Sequence, residues 1–323
     1  LTYGIPSYKL EKNVIDAEID IMREMGVEIK CGVEVGKDIT IDQLRAEGYK
    51  AFYVAIGCQG GKKPDIVGSD AEGVTTAVDF LKVANCGGYA VKGKTIVIGG
   101  GNVAIDAARV SVRSGAKEVA MYCLETRDIM PASNEEIREA QEDGVAINCG
   151  WGPKEVVVEN GKAVAVVFKK CLSVFDENNK FNPVYDEKET QTVSCDNVIF
   201  AVGQTTVWGD LLKGSKVEFG RGNRPVADTL TYQTAEEDIF VGGDVFTGPK
   251  FAIDAIAQGH EAAESLHRYV QHGHMTIGRN RRQFIQIDTD DIKVESYDNS
   301  SRQEAGMDES IDAKSFKDAH KTL

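Results

Sequence analysis

The segment that most constrains the fold of this chain reads TIVIGGGNVAID, at residues 95–106. Its β-branched residues predict a strand, its glycines predict a tight turn, and the apolar spacing that follows predicts a helix. Amides and the helix dipole at the start of such a helix attract phosphate groups. The segment therefore predicts an α/β fold that contains a phosphate-binding turn.

Neighbouring residues extend this junction into a strand–helix–strand unit. The sequence predicts a strand at residues 94–99, a helix at 102–114 and a second strand at 118–123. A crossover through a helix makes the two strands parallel. Elsewhere the sequence predicts an amphipathic helix at residues 8–25, short strands at 27–31 and 51–56, a helix capped by Ser133 or Asn134, β-hairpins across 156–170 and a polar hairpin tip at 178–189.

The glycines at the turn fit the GxGxxA pattern of dinucleotide binding. Gly99 makes the turn, Gly101 allows a pyrophosphate to approach the backbone, and Ala104 allows close packing of helix on strand. The amides of Asn102 and Val103 begin the helix and are expected to face the phosphates. A purely structural glycine turn is the alternative, but the position inside a βαβ unit favours a nucleotide.

An acidic residue beyond the turn indicates which dinucleotide binds. Glu125 stands at the end of the second predicted strand, where a carboxylate can accept hydrogen bonds from both ribose hydroxyls. A 2′-phosphate at a few ångströms would cost on the order of 4 kcal/mol per unit charge. The sequence thus predicts NAD(H) over NADP(H). Two alternatives stay open: Glu125 points into solvent, or Arg127 reverses the local charge.

Composition and charge exclude several other classes of function. The 323 residues are 42% hydrophobic and 27% charged, and their formal charge of -14 argues against a nucleic-acid or anionic-membrane surface. A basic cluster of Arg279, Arg281 and Arg282 is predicted to be a solvated face or a contact with a neighbouring chain. The sequence shows no membrane-length apolar stretch and no signal-like start, which predicts a cytoplasmic protein.

The seven cysteines are scattered, and no two are closer than 22 residues, so the sequence has no CxxC pair and no metal knuckle. They are predicted to be reduced core thiols. His267, His272 and His274 lie near the end of a long predicted helix, where solvation or a favourable place against the helix dipole is expected. No metal site is predicted.

A second glycine turn follows another predicted strand, at residues 239–241. There Asp244 comes after two glycines and before a predicted helix at residues 251–270. An acid at such a turn suits a hydroxylated ligand, although it could simply cap the helix. Two more strand ends, at Gly57 and Gly203, place a glycine where the backbone passes close to another group.

Taken together, these motifs resemble a flavoprotein family that includes the small subunit of bacterial glutamate synthase, the flavin part of dihydropyrimidine dehydrogenase, and NAD(P)-binding subunits of electron-bifurcating transhydrogenases. The resemblance covers residues 1 to about 270 in the family's order. It rests on YGIP at 3–6, AIG at 55–57, VIGGGNVAID at 97–106, MPA at 130–132, AVG at 201–203, GD at 243–244 and DAIAQG at 254–259.

The resemblance implies an α/β flavoprotein with two dinucleotide-binding domains, in which a Rossmann-like NAD(P) domain is inserted in a discontinuous FAD domain. It assigns residues 1–60 to an FAD-domain part whose first half is incomplete, and residues 61–204 to the NAD(H)-binding domain. Residues 205–275 are then the return of the FAD domain, and residues 276–323 are a polar carboxy-terminal tail.

The resemblance also implies FAD as second cofactor and hydride transfer between NAD(H) and the flavin. Gly57, Gly203 and Gly243 count among the cofactor-binding positions, with Asp244 on the ribityl chain. The amides of Ala252 and Ile253, at the start of the long helix, are expected near the flavin ring. No catalytic side chain is expected, because the flavin carries the chemistry.

Three departures from the family pattern matter. Leu124 and Glu125 replace the family's usual arginine pair, which strengthens the NAD(H) prediction. The family's amino-terminal glycine loop for the ADP half of FAD is absent, so we expect this segment, cut from a larger chain, to hold FAD poorly or not at all. The family's iron-sulfur cysteines and a CxxC pair are also absent, and an iron-sulfur protein or domain is the expected electron partner. The alternative is a non-catalytic NAD(H)-binding sensor or structural subunit of a larger complex.

Overall fold

A computed structural model describes residues 1–87, 90–279, 300–301, 306, 308, 310–312 and 314–316. The described helices are α1 (Lys12–Glu24), α2 (Ile41–Ala46), α3 (Ala77–Ala84), α4 (Asn102–Arg113), α5 (Asn134–Glu142), α6 (Asp244–Thr247) and α7 (Ala252–Val270). The described strands are β1 (Phe52–Val54), β2 (Gly60–Gly61), β3 (Val74–Thr76), β4 (Lys94–Ile98), β5 (Glu118–Cys123), β6 (Ala146–Cys149), β7 (Trp151–Glu159), β8 (Lys162–Phe175), β9 (Phe181–Ser194), β10 (Asn197–Phe200), β11 (Gln204–Thr205) and β12 (Ile239–Val241).

The chain divides into two compact units. Unit 1 contains Leu1–Ile29 and Gln59–Thr205, and unit 2 contains Lys30–Cys58 and the described chain from Thr206 through Arg279. Unit 1 is built on a parallel sheet whose strand order, among the described residues, is β3-β10-β4-β5-β6. Because β4 and β5 run parallel and α4 connects them, the predicted βαβ unit is confirmed.

Both faces of this parallel sheet are buried, because successive side chains of a strand point to opposite sides. Val97 and Met121 pack with residues of α3 and α4 on one side. Ile96 and Phe200 pack with Phe168 and other residues of the antiparallel strands on the other side. Burial on both faces explains why these strands are continuous apolar runs in the sequence.

The antiparallel sheet of unit 1 has the order β7-β8-β9 within the described residues. It is joined to the parallel sheet by Tyr122 and Phe168, whose stacked rings have centroids 4.1 Å apart. The predicted polar tip at residues 178–189 is wrong in extent, since β9 already begins at Phe181 and continues to Ser194. All residues of β9 are exposed or half-buried, so its composition is as polar as that of a loop although it forms a strand.

Residues 1–29 belong to unit 1 by their contacts, whereas the family resemblance assigns them to the FAD domain. The buried ring of Tyr8 accounts for this, because Arg109 Cζ and Arg113 Cζ lie 4.6 Å and 4.2 Å from its centroid. The helix predicted near the amino terminus is confirmed as α1. The strand predicted at residues 27–31 is wrong: these residues are exposed, and no described residue forms a ladder with them.

Unit 2 is organised around the parallel pair of β1 and β12, in which Val54 lies opposite Val241. Ile41 of α2, Leu212 and Ile239 complete its apolar core. The predicted strands at residues 51–56 and 239–241 and the long helix, now α7, are thereby confirmed. Because β1 pairs in parallel with β12, the turn at Gly57 and the turn at Gly242 and Gly243 lie at the same edge of this small sheet.

The basic cluster after α7 is only partly described. Arg279 is buried within unit 2, where its guanidinium donates to Glu261 Oε2 at 2.8 Å and to the Leu230 carbonyl at 2.9 Å. The prediction that Arg279 is solvated is therefore wrong, while Arg281 and Arg282 lie outside the described residues. Most of the predicted tail at residues 276–323 lies outside them too. Within the described ranges, no helix combines the length and apolar character needed to cross a bilayer.

Candidate functional site

The glycine turn of unit 1 lies between the end of β4 and the start of α4. Gly99 has φ +146°, and a Cβ there would lie 2.5 Å from the Ala201 carbonyl oxygen, so a side chain is excluded. Gly101 is the N-cap of α4 with φ -94°, and its position faces open space. The Gly101 carbonyl accepts the first amide bonds of the helix, from Ala104 at 2.9 Å and Ile105 at 3.2 Å. The amides of Asn102 and Val103 precede those bonds at the helix start, which is the arrangement that receives a phosphate.

Glu125 lies against this turn. A Cβ built on Gly100 would be 2.7 Å from Glu125 Oε2 and 3.1 Å from Cys123 Cβ. The middle glycine therefore leaves room for the half-buried carboxylate at the mouth of the turn. Gly100 was absent from the predicted site residues, and the middle position of the glycine triplet is the signal that could have identified it.

The segment that follows β5 is hydrogen-bonded to the glycine turn. The Ala132 amide donates to the Gly100 carbonyl at 3.0 Å, and the Ser133 amide donates to Asn102 Oδ1 at 3.0 Å. Asn102 thus contributes through its side chain, which fixes the segment that precedes α5. Ser133 caps α5, since its hydroxyl accepts from the Glu136 amide at 3.3 Å.

Two other predicted residues of unit 1, Arg127 and Gly203, do not lie against Gly100 as Glu125 does. Arg127 is exposed and donates to Asn134 Oδ1 at 3.2 Å, so its guanidinium is engaged beside the turn. Gly203 has φ +118° and follows β10, and its carbonyl accepts from the Lys62 amide at 3.2 Å. Gly203 therefore belongs to the junction of β2 and β11, and the structure does not bring it into the glycine turn.

The second glycine turn, in unit 2, connects β12 to α6. Gly243 has φ +71°, and its amide donates to the buried Gln258 Oε1 at 2.7 Å. A side chain at Gly242 would collide with the Tyr53 hydroxyl. Gln258 and Tyr53 were not predicted as site residues, although Gln258 stands in the DAIAQG stretch that carried the resemblance.

Asp244 begins α6 and accepts the Lys250 amide at 3.1 Å through Oδ1. It does not cap α7, whose N-cap is Phe251 and has no side-chain cap bond. Gly57, with φ +67°, adjoins this turn through its neighbour Cys58, whose thiol donates to the Asp244 carbonyl at 3.3 Å. The pairing of β1 with β12 therefore places Gly57 and Asp244 near each other.

The start of α7 presents apolar side chains outward. Phe251, Ile253 and Ile256 are 72%, 68% and 55% exposed. Ala252 and Ile253 supply the first amides of this 19-residue helix. Apolar surface beside free helix-start amides suits a flat, partly polar ring system.

A cavity of about 710 Å³ also lies in unit 1, at the opposite edge of the parallel sheet. Its lining includes Lys94, Asp196 and Asn197, which stand at the amino-terminal ends of β4 and β10. Ligands of parallel α/β sheets bind at the carboxyl ends of the strands. The cavity is therefore separate from the glycine turn.

The residues of the two glycine turns fit the nicotinamide dinucleotide and the FAD that the sequence predicts. In unit 1, glycines without Cβ, helix-start amides and an adjacent carboxylate are the parts that hold a pyrophosphate and a ribose. In unit 2, the turn of Gly243 and Asp244 and the exposed apolar start of α7 suit the flavin half of FAD.

Comparison with known proteins agrees with this geometry. The family model described as pyridine nucleotide-disulphide oxidoreductase matches residues 21–259. The glutamate synthase [NADPH] small chain of Halomonas elongata is 32% identical over 284 residues, and the NAD-dependent dihydropyrimidine dehydrogenase subunit PreT of Escherichia coli O157:H7 is 35% identical over 274. Each match covers 84% of this chain and 60% of the relative, so the chain spans about three fifths of their length.

Solved structures show the same fold. Mycobacterium tuberculosis FprA in complex with NADPH superimposes with a TM-score of 0.68 at 16% identity, over 84% of this chain and 75% of that chain. The resemblance inferred from the motifs is confirmed, as is the α/β fold with a parallel sheet. The chain belongs to the pyridine nucleotide-disulphide oxidoreductase family.

Proposed function

We propose that this chain is part of a flavoprotein oxidoreductase that transfers hydride between NAD(H) and FAD. The observation that carries the proposal is the placement of Glu125 at Gly100, beside the start of α4. A strand, a glycine turn and a helix could be structural alone, but a carboxylate at the mouth of that turn is what a ribose requires. The turn of Gly243 and Asp244 in the same chain supports FAD as the second group.

The residues of this chain would bind and orient, and the cofactors would supply the hydride chemistry. Asn102 and Val103 would donate their amides to the pyrophosphate of the nicotinamide coenzyme. Asp244 would bind the hydroxyls of the ribityl chain. Ala252 and Ile253 would direct their amides towards negative charge on the flavin ring. None of these roles requires a side chain that gains or loses a proton.

We propose that NADH is preferred over NADPH. Glu125 supports this, because its carboxylate would repel a 2′-phosphate at the position where it would accept from a ribose hydroxyl. The guanidinium of Arg127 donates to the neutral Asn134 Oδ1 at 3.2 Å and keeps its positive charge beside the turn, so Glu125 alone carries this part of the proposal. The names of the two relatives include both coenzymes: the glutamate synthase small chain is named for NADPH, and the PreT subunit is named as NAD-dependent.

We propose an iron-sulfur protein or domain as the electron partner, in a larger chain or complex. Two relatives carry the names of a small chain and a subunit, which supports assembly with other chains. The acidic composition and the scattered thiols support a cytoplasmic location.

The test uses the full-length protein, purified and examined for bound flavin by its absorbance. Under anaerobic conditions, NADH should bleach the flavin band at lower concentration than NADPH does. A colourless protein that takes up no FAD would contradict the proposal. If that colourless protein still binds NADH tightly, the non-catalytic sensor is the better description.

A further inference from the structure

Two thiols that are distant in sequence lie together beside the glycine turn of unit 1. Cys123 ends β5 and Cys149 ends β6, and the two residues are directly paired in neighbouring parallel strands. Their sulfur atoms are 3.8 Å apart and both thiols are free. Neighbouring strands are about 4.8 Å apart, which lies within the Cα separation of about 4.4–6.8 Å that a disulfide needs. Rotation of the side chains together with a small shift of the strand ends therefore joins the sulfurs, without a change in the order of the strands.

The two thiols differ in their access to solvent. Cys149 is half-buried, whereas Cys123 is only 2% exposed. Burial and the neighbouring Cys149 raise the pKa of Cys123, so that its sulfur stays a thiol at neutral pH. An oxidant from solvent would consequently reach Cys149 first, and Cys123 would be in position to react second.

Both thiols are linked to the proposed coenzyme site by short contacts. Cys123 Cβ lies 3.1 Å from the place that a Cβ on Gly100 would occupy. The Cys123 sulfur is 3.7 Å from the Glu125 carbonyl oxygen, which also accepts the amide of Gly150 at 2.9 Å. Cys123 contacts the Glu125 carbonyl directly, and Cys149 is joined to it through the amide of the next residue, Gly150. Movement of either cysteine would therefore shift the backbone of Glu125.

We propose that Cys123 and Cys149 are a peroxide-sensitive dithiol whose oxidation to a disulfide weakens coenzyme binding at the adjacent glycine turn. The Cys149 sulfur attacks hydrogen peroxide, the O–O bond breaks, and a sulfenic acid and one water form. The Cys123 thiol then gives its proton to the hydroxyl of that sulfenic acid as its sulfur attacks, so that the S–O bond breaks, an S–S bond forms and a second water leaves. Two thiols are oxidised and one peroxide is reduced to two waters.

Formation of the disulfide does not depend on the proposed function, but its effect on the coenzyme rests on that function. Closing a gap of 3.8 Å to a bond of about 2.05 Å requires the ends of β5 and β6 to shift. Glu125 and Gly150 are the residues that would move with them. A carboxylate displaced from the turn loses its hydrogen bonds to the ribose, which lowers the affinity for NAD(H).

The test begins with the reduced full-length protein, exposed to hydrogen peroxide and then alkylated with iodoacetamide. After trypsin digestion, mass spectrometry should find residues 118–127 joined to residues 139–154, lighter by two hydrogens than the sum of the two peptides. The matched control is Cys86→Ser, at an exposed thiol remote in sequence, which should form the same link. Cys149→Ser should abolish it, and Cys149→Ala serves as a second variant if the serine protein folds poorly. Absence of the link from the oxidised wild type would overturn the proposal.

A second measurement titrates NADH into the reduced and the oxidised protein. We expect the dissociation constant to rise about tenfold or more on oxidation, to return on treatment with dithiothreitol, and to stay unchanged by peroxide in Cys149→Ser. A cross-linked protein with unaltered affinity would overturn the coupling to the coenzyme. A reduced protein that does not bind NADH would instead contradict the proposed function, while the cross-link would still support the dithiol.

Discussion

Glu125 and Gly100 are matched across the glycine turn: a Cβ on the glycine would lie 2.7 Å from Glu125 Oε2. The carboxylate occupies space that any other residue at position 100 would take. Strand β5 places Glu125 here, because the Cβ of its last residue, Cys123, is 3.1 Å from the position that a Cβ on Gly100 would take. A side chain introduced at position 100 should therefore displace the carboxylate of Glu125.

Replacing Glu125 with glutamine should change the coenzyme preference. The amide keeps hydrogen bonding to a ribose but removes the negative charge that would face a 2′-phosphate. We expect the ratio of NADPH to NADH affinity to rise about tenfold or more, measured by titrating both coenzymes into the full-length protein. The control is Glu118→Gln at the other end of β5, whose side chain pairs with Lys94. An equal change of the ratio in the control would rule out a local role for Glu125.

Alanine at Gly100 and at Gly101 should have different consequences. Gly100→Ala forces the Glu125 carboxylate away, so the variant should lose affinity mainly for NADH and thereby lose discrimination. Gly101→Ala meets open space in the structure, but its methyl group would stand where the pyrophosphate approaches, so both coenzymes should weaken alike. Binding of the two coenzymes by the two variants is compared side by side. Identical profiles for the two variants would show that the turn does not distinguish these roles.

Asp143 should be important for the stability of unit 1. It is 9% exposed and accepts from Arg109 Nε at 2.7 Å and Arg113 Nη1 at 2.5 Å. Asp143→Asn removes the carboxylate that two buried guanidiniums share, while Arg109 keeps its pair with Glu139, so the free energy of unfolding should fall by about 3 kcal/mol. Denaturant unfolding followed by circular dichroism measures it. The control is Glu142→Gln, which breaks the exposed pair of Glu142 with Arg138 and should cost under about 0.5 kcal/mol. Similar losses in both variants would argue against burial as the cause.

Cys195 should make the protein less stable in alkali. Burial raises the pKa of Cys195 from 9.0 to about 11. Between these values the unfolded chain ionises its thiol and the folded chain does not, so this contribution is complete below pH 9 and is lost as the pH rises through 11. Cys195→Ala should flatten the dependence of stability on pH in that window, by about 1–3 kcal/mol. Thermal unfolding between pH 8 and 11 measures this, and Cys86→Ala is the control at an exposed thiol. A parallel pH profile for wild type and Cys195→Ala would contradict the assignment.

Gln258 should be a positioning residue for the second glycine turn. Its Oε1 accepts from the Gly243 amide at 2.7 Å inside unit 2, which holds Asp244 at the start of α6. We expect Gln258→Ala to release FAD from the full-length protein while NADH binding persists. Gln271→Ala, at the exposed C-cap of the same helix, is the matched control. If FAD content is the same in both variants, Gln258 does not position the turn.

Local patterns accounted for much of the fold. The βαβ unit around Gly99 and the strands of unit 2 are where the sequence predicts them, because apolar periodicity and glycine conformation are properties of short segments. Errors arose where a segment depends on a partner. β9 is a polar strand that the neighbouring β8 organises, and residues 27–31 have a strand-like composition but no partner among the described residues.

The sequence by itself determined the parallel α/β unit and the two glycine turns, since each is encoded within a few consecutive residues, and it determined the family through the order of several such short motifs. Only the tertiary structure decided that Glu125 lies at Gly100, that Gln258 holds Gly243, that Cys123 meets Cys149, and that Tyr8 docks residues 1–29 on unit 1. These contacts join residues from 15 to more than 100 positions apart. They depend on strand order and on close packing in three dimensions, which periodicity along the chain does not specify.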